Sequence, residues 1–148
     1  ERNITGQDLG NFKILISKFS GETETTSLNF KEVELFSGET QINLFDAGTN
    51  SLNSEFPPES AIDGTSNATP FYSETTVTNA NWYASFIPLV GEDISYTLKI
   101  VYHSINTNGI NLSIYDSYDN IKYTESGVSL IPTNSESTFN LTYPNTYE

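Results

Sequence analysis

Ile94-Ser95-Tyr96-Thr97-Leu98-Lys99-Ile100-Val101-Tyr102 is the longest alternating run in the chain. Apolar side chains recur at every second position, the period of a strand with one face in a core. Shorter runs of the same kind lie on both sides. Upstream they are Phe12–Phe19, read with Lys13 and Lys18 facing out, then Leu28–Phe36, Ile42–Phe45, Phe71–Thr76 and Trp82–Pro88. Downstream they are Ile110–Tyr115, Ile121–Thr124, Val128–Ile131 and Thr138–Tyr143. Gly, Asn, Asp, Ser and Pro stand between them, the residues that form turns. Ser, Thr, Asn, Tyr, Phe and Ile dominate, whereas the helix formers Ala, Met, Arg and Lys are scarce. No helical period competes. The pattern predicts an all-β fold, an antiparallel β-sandwich or jelly roll.

The 148 residues suffice for one domain with a real core and no staples. There is no cysteine, hence no disulfide and no thiolate metal site. Residues 1–11 read as a flexible lead-in and 12–148 as the domain. The chain opens at Glu1-Arg2-Asn3, with no Met and no signal-like apolar run, as expected of a processed product or a piece of a longer polypeptide. No stretch nears the roughly 18 apolar residues that cross a bilayer, so no membrane insertion is expected. Six basic residues face nineteen acidic ones, for a net charge of −13. The basic residues are scattered, and no cationic patch for nucleic acid or an anionic membrane can be assembled from them. The acidity suits a soluble surface, a cation ligand or a neutral polar partner.

Two polar loops, Asn50–Ser60 with Pro57-Pro58 and Thr65–Pro70, are the natural places for ligand contact. Between them runs Ser60-Ala61-Ile62-Asp63-Gly64-Thr65, followed by Ser66-Asn67-Ala68-Thr69. Asp-Gly is a tight-turn dipeptide, which is sufficient reason for it to be there. The same turn can also serve a hard cation: backbone carbonyls converge and Asp63 adds a carboxylate.

Several stretches, taken in order, resemble a known family. Leu28–Phe36 looks like an "L-x-φ-x-E-I-E-V-Y" strand, and Ser60–Gly64 like an "N-A-I-D-G" turn. Phe71-Tyr72-Ser73 looks like "Y-W-x-S", and Asn81–Leu89 like "W-W-x-V-D-L". Tyr96–His103 and Leu112–Lys122 look like the "I-x-x-V-x-I-x-N-R" and "V-x-V-S-x-D-G-x-x-W" strands. The family is the discoidin, or coagulation-factor C-type, group of galactose-binding-like jelly rolls, and the resemblance covers roughly residues 12–131. The Glu-rich strand normally closes such a domain; here it comes near the start, a shifted order. The Trp-Trp pair is Trp82-Tyr83, and the Asp expected after it is absent.

The resemblance implies a jelly roll of galactose-binding-like topology with a structural calcium. By position, Asp63 and Glu32 would supply carboxylates, Ser60 and Thr65 carbonyls, and Thr69 a carbonyl or hydroxyl. The plain alternative for Glu32 is an exposed strand carboxylate. It also implies glycans or glycoproteins as partners. Sugar sites need an aromatic platform and fixed polar groups, and the loops offer Phe56, Tyr72, Glu74, His103 and Asn106, with Asn108 and Tyr118 beside them. His103 is equally readable as a strand-end residue without a task. The fucose motif, a His with Arg-x-Asp downstream, is absent. Trp82 reads as core rather than platform, because it lies in an alternating strand. Sequons stand at Asn3, Asn67, Asn111 and Asn140.

Catalysis is not expected. The single His103 has no Gly-x-Ser-x-Gly elbow or Cys to activate. The acid pairs Glu92/Asp93 and Asp116/Asp119 sit in turns, where acids are ordinary. Two functions fit: a carbohydrate-binding or adhesion module, or a structural subunit of a larger assembly such as a spike, fibre or viral capsid decoration. Either belongs on an extracellular, cell or virion surface, in the second case against other subunits.

Overall fold

The structure, a computed structural model, describes residues 5, 7–18, 28–50, 57–64, 71–72, 80–91, 93–101, 109–128 and 136–144. The strands are β1 (Phe12–Lys18), β2 (Asn29–Phe30), β3 (Glu32–Ser37), β4 (Thr40–Ile42), β5 (Phe45–Gly48), β6 (Phe71–Tyr72), β7 (Asn81–Phe86), β8 (Asp93–Val101), β9 (Ile110–Tyr115), β10 (Ile121–Val128) and β11 (Glu136–Pro144). A five-stranded sheet, β10-β9-β1-β7-β5, packs on a four-stranded sheet, β11-β8-β3-β4, and β2 pairs with β6. Every described strand pairing is antiparallel. Among the described residues there is no α-helix, only 3₁₀ turns at Gln7–Leu9 and Pro58–Ile62. The all-β sandwich read from the alternating runs is the observed fold.

The run that decided the fold class becomes β8, paired along its whole length with β11 and over Phe36–Glu32 with β3. Its alternate residues Ile94, Tyr96, Leu98 and Ile100 are buried. Facing them from the other sheet are Phe12, Ile14 and Ile16 of β1, Trp82, Ala84 and Phe86 of β7, and Ile110, Leu112 and Ile114 of β9. Aromatic edges join the layers: Phe86 meets Tyr96 at 5.4 Å between ring centroids. Each large apolar side chain so buried contributes about 1.5–3 kcal/mol. On the outer face of the four-stranded sheet, Lys99 sits 3.6 Å from both Glu34 and Glu136.

Four expectations are corrected in detail. Lys18 does not face out: it shares parity with Phe12, Ile14 and Ile16 and is buried with them. The Leu28–Phe36 run breaks at Lys31, so β2 leaves for β6 while β3 joins β8. The Ile42–Phe45 run is a crossing between sheets, with β4 in one and β5 in the other. Ile121–Thr124 and Val128 belong to one strand, β10, whose register slips between Glu125 and Val128, where Gly127 takes φ 69°.

Ahead of β1, the 3₁₀ turn is tied locally. The Thr5 backbone N–H and hydroxyl both donate to Asp8 Oδ2, and Ser117 Oγ donates to the Leu9 carbonyl at 2.7 Å.

Candidate cation site at the loop end of the sandwich

The pairings decide which connections share an end. Lys18, Gly48, Asn81, Ile110 and Val128 close or open their strands at one end of the five-stranded sheet. Glu32, Val101 and Glu136 do so in the four-stranded sheet. The two sets lie at the same end, because Pro58–Ile62 bridges them. Trp82 Nε1 at the start of β7 donates to the Pro58 carbonyl at 3.0 Å, and the Gly64 N–H donates to Glu32 Oε2 at 3.0 Å. The flanks of both polar loops therefore converge there. The opposite end carries the 38–39, 87–92 and 116–120 connections.

Local sequence explains the turn. Pro57 and Pro58 preset the first 3₁₀ residues, and Pro58 and Ala61 bury against the sandwich. Asp63 ends the segment at φ −85°, ψ 0°. Gly64 follows at φ +85°, a left-handed conformation that side chains disfavour. The reversal points the Gly64 amide at β3.

Glu32 is the centre of this arrangement. It is only 6% exposed, not the solvated strand carboxylate of the plain reading. Oε2 accepts from the Gly64 amide, while Oε1 is buried and receives no backbone, hydroxyl or amide donor, leaving the Asp63 carboxyl as the side-chain hydrogen-bond partner of Glu32. Burial, reinforced by the adjacent Asp63 carboxyl and by Glu34, pushes the Glu32 carboxyl up to about 7 against the opposing Gly64 bond. The two acids line a cavity of about 380 Å³ with Gly64, Gln41 and Asn43 on its polar wall and Val33, Ile42, Leu44 and Ile62 on its apolar one. Two carboxyls brought together this way either share a proton or hold a cation. Every polar donor atom available to an ion is oxygen, which selects hard cations of the calcium type over thiolate- or imidazole-seeking metals. The donors fit that group, although no set of three or more His, Cys, Asp or Glu forms a metal cluster among the described residues.

Of the ligands expected for calcium, the structure brings Glu32 and Asp63 together. Ser60 lies inside the 3₁₀ segment and outside the cavity lining. Thr65 and Thr69 lie outside the described residues, as do Phe56, Glu74, His103 and Asn106 of the expected sugar site. Tyr72 is placed by its backbone in β6, opposite Asn29. Tyr118 is 85% exposed but stands in the 116–120 turn, at the other end from Glu32. Trp82 is fully buried against Phe30, a core residue as its strand position predicts. The Asn111 sequon amide is engaged, donating to the Lys18 carbonyl at 3.2 Å and accepting from Gly127 at 3.1 Å.

Gln41, Asn43 and the Gly64 amide were not legible as site residues. Gln41 reaches the cavity through the β3–β4 pairing and Asn43 through the crossing that follows it, and no local motif announces either. No protein-family model, no curated protein and no solved structure matches this chain. Among the described residues, no helix is long and apolar enough to cross a membrane.

Proposed function

We propose that this chain is a non-catalytic, discoidin-like jelly-roll domain that binds glycans or glycoproteins through its loop end, with that end braced by calcium. The observation that carries the reading is the buried Glu32 carboxyl set against Asp63 on the wall of one cavity. A divalent ion there would neutralise both acids and cross-link β3 to the turn after Pro58–Ile62. Glu32 and Asp63 would hold it, and the loops flanking that turn would be fixed for ligand contact. The glycan part rests on the motif resemblance and on the convergence of polar loop flanks at this end. An extracellular or virion surface, where calcium is plentiful, suits such a site.

Calcium is tested by thermal unfolding. At a hundredfold excess over Kd a single bound ion adds about 2.7 kcal/mol, so chelation must lower Tm and calcium restore it. An unchanged Tm sinks the calcium brace. Retention on a glycan array, with and without calcium, tests the ligand; no retention on any glycan sinks the lectin reading.

One observation favours the structural-subunit reading instead. Ile87, Val90, Tyr118 and Ile121 are the exposed large apolar side chains among the described residues, and all four stand at the end opposite Glu32. A solution mass above that of the monomer, reduced by Ile121→Lys, would support docking there.

A further inference from the structure

Two of the four sequons fall within the described residues, and the fold treats them in opposite ways. Asn111-Leu112-Ser113 lies on β9, held between β1 and β10. Asn111 Nδ2 is spent on the Lys18 carbonyl at 3.2 Å, and its Oδ1 accepts from the Gly127 N–H at 3.1 Å. That side chain sews β9 to both neighbours. Two residues on, Ser113 is buried and its hydroxyl pairs with Thr124 Oγ1 at 3.1 Å. Asn140-Leu141-Thr142 stands on β11, an outermost strand of the four-stranded sheet. Period two turns Leu141 into the core and the two sequon side chains outward, where Asn140 and Thr142 are exposed. Neither makes a side-chain hydrogen bond among the described residues. Their partners across the ladder are polar and short, Thr97 for Asn140 and Ser95 for Thr142. The amide and the hydroxyl therefore share one open face.

Resting on the extracellular reading above, we infer that Asn140 is an N-glycosylation site and that Asn111 stays bare. In the transfer, Asn140 Nδ2 bonds to the anomeric carbon of an oligosaccharide carried on a lipid diphosphate. The sugar–phosphate C–O bond breaks, the diphosphate leaves with its electron pair and the amide sheds one proton. Of the two described sequons, only Asn140 offers its nitrogen without loss; a sugar on Asn111 would open the seam between β1, β9 and β10. The product suits its place. An outermost strand presents unpaired backbone groups to other strands, and a bulky, solvated chain beside them blocks such pairing. Asn140 lies four positions past Glu136, roughly 13 Å along the strand from the loop end, so the glycan leaves that end open.

The full chain, fitted with a cleavable secretory leader, is expressed in cultured animal cells and mapped by peptide mass spectrometry before and after peptide-N-glycosidase. Mapping separates Asn140 and Asn111 from the sequons at Asn3 and Asn67, which lie outside the described residues. Wild type is expected to carry sugar on Asn140 and none on Asn111. Asn140→Gln and Thr142→Ala should each abolish the Asn140 glycan, whereas Asn111→Gln should leave it in place and lower Tm. A secreted, folded chain bare at Asn140, or one glycosylated at Asn111, overturns the inference. Should the chain stay in the cell, translation into endoplasmic-reticulum microsomes reads Asn140 as the glycosidase-sensitive gel shift lost in Asn140→Gln. No such difference also overturns the inference, while a shift without secretion counts against the extracellular placement alone. Likewise, a chain glycosylated at Asn140 but retained on no glycan array loses the lectin reading and keeps the site.

Discussion

The Gly64 amide donates to Glu32 Oε2 across 3.0 Å, joining a turn to a strand 32 positions earlier in the chain. That bond satisfies one oxygen of a buried carboxylate, and the Asp63 carboxyl lies against the group from the same turn. Glu32→Gln keeps an oxygen for Gly64 and removes the charge. Without calcium the variant is expected to be more stable than wild type by about 1 kcal/mol, a rise of roughly 3 °C in Tm for a chain of this size. With calcium the order reverses, because only wild type gains from the ion. Paired melts with calcium and with chelator check both signs.

Gly64→Ala tests the turn alone. An added Cβ meets nothing within 4 Å, so the cost is confined to the backbone at φ +85°. About 1–2 kcal/mol of stability should be lost, and less with Asn, which tolerates this region. Denaturant unfolding of the two variants, at constant m-value, gives the comparison.

Trp82→Phe removes the Nε1–H bond to the Pro58 carbonyl and leaves a void beside Phe30. A loss of about 2–4 kcal/mol is expected. Calcium affinity should fall as well, since the segment that aims Asp63 loses its anchor. A variant that is less stable yet binds calcium with wild-type affinity would show that the 3₁₀ segment holds its place without Trp82.

The β9–β10 turn gives a pH dependence of known sign. Burial works to raise the Asp116 pKa, but donors from Asn120 and Tyr118, with Lys122 nearby, outweigh it and hold the carboxyl below its ordinary value. A depressed folded pKa contributes stability above the unfolded value near 3.8, lost as pH falls through the folded one. Asp116→Ala should therefore cost at most about 1 kcal/mol at pH 7, because solvent screens the exposed contacts of this carboxylate. The difference from wild type should shrink through the acid range below pH 4, as urea titrations across pH would show.

The fold was legible because its signal is local. Alternation in Ile94–Tyr102 or Phe12–Lys18 needs only neighbouring residues, and period two alone should have turned Lys18 inward. What stayed hidden depends on partners far along the chain. Nothing within Ile42–Phe45 says that the strand changes sheets, because a short apolar run looks the same paired or crossing. Glu32 reads as a surface acid until the Asp63-Gly64 turn covers it; only the family resemblance linked the two. Asn43 carries no motif and lines the cavity only because the chain crosses between sheets there.

The crossing from Ile42 to Phe45 covers three Cα steps, about 10–11 Å when fully stretched. Stacked sheets sit about 10 Å apart. At such distances a link of three steps has little slack. Insertions and deletions, which surface loops absorb readily, meet an asymmetric barrier here: an extra residue only loosens the seam, while a missing one draws the layers together or tears a strand from its sheet. Length itself is the constrained trait at this edge, and homologues should vary here in residue type before they vary in spacing.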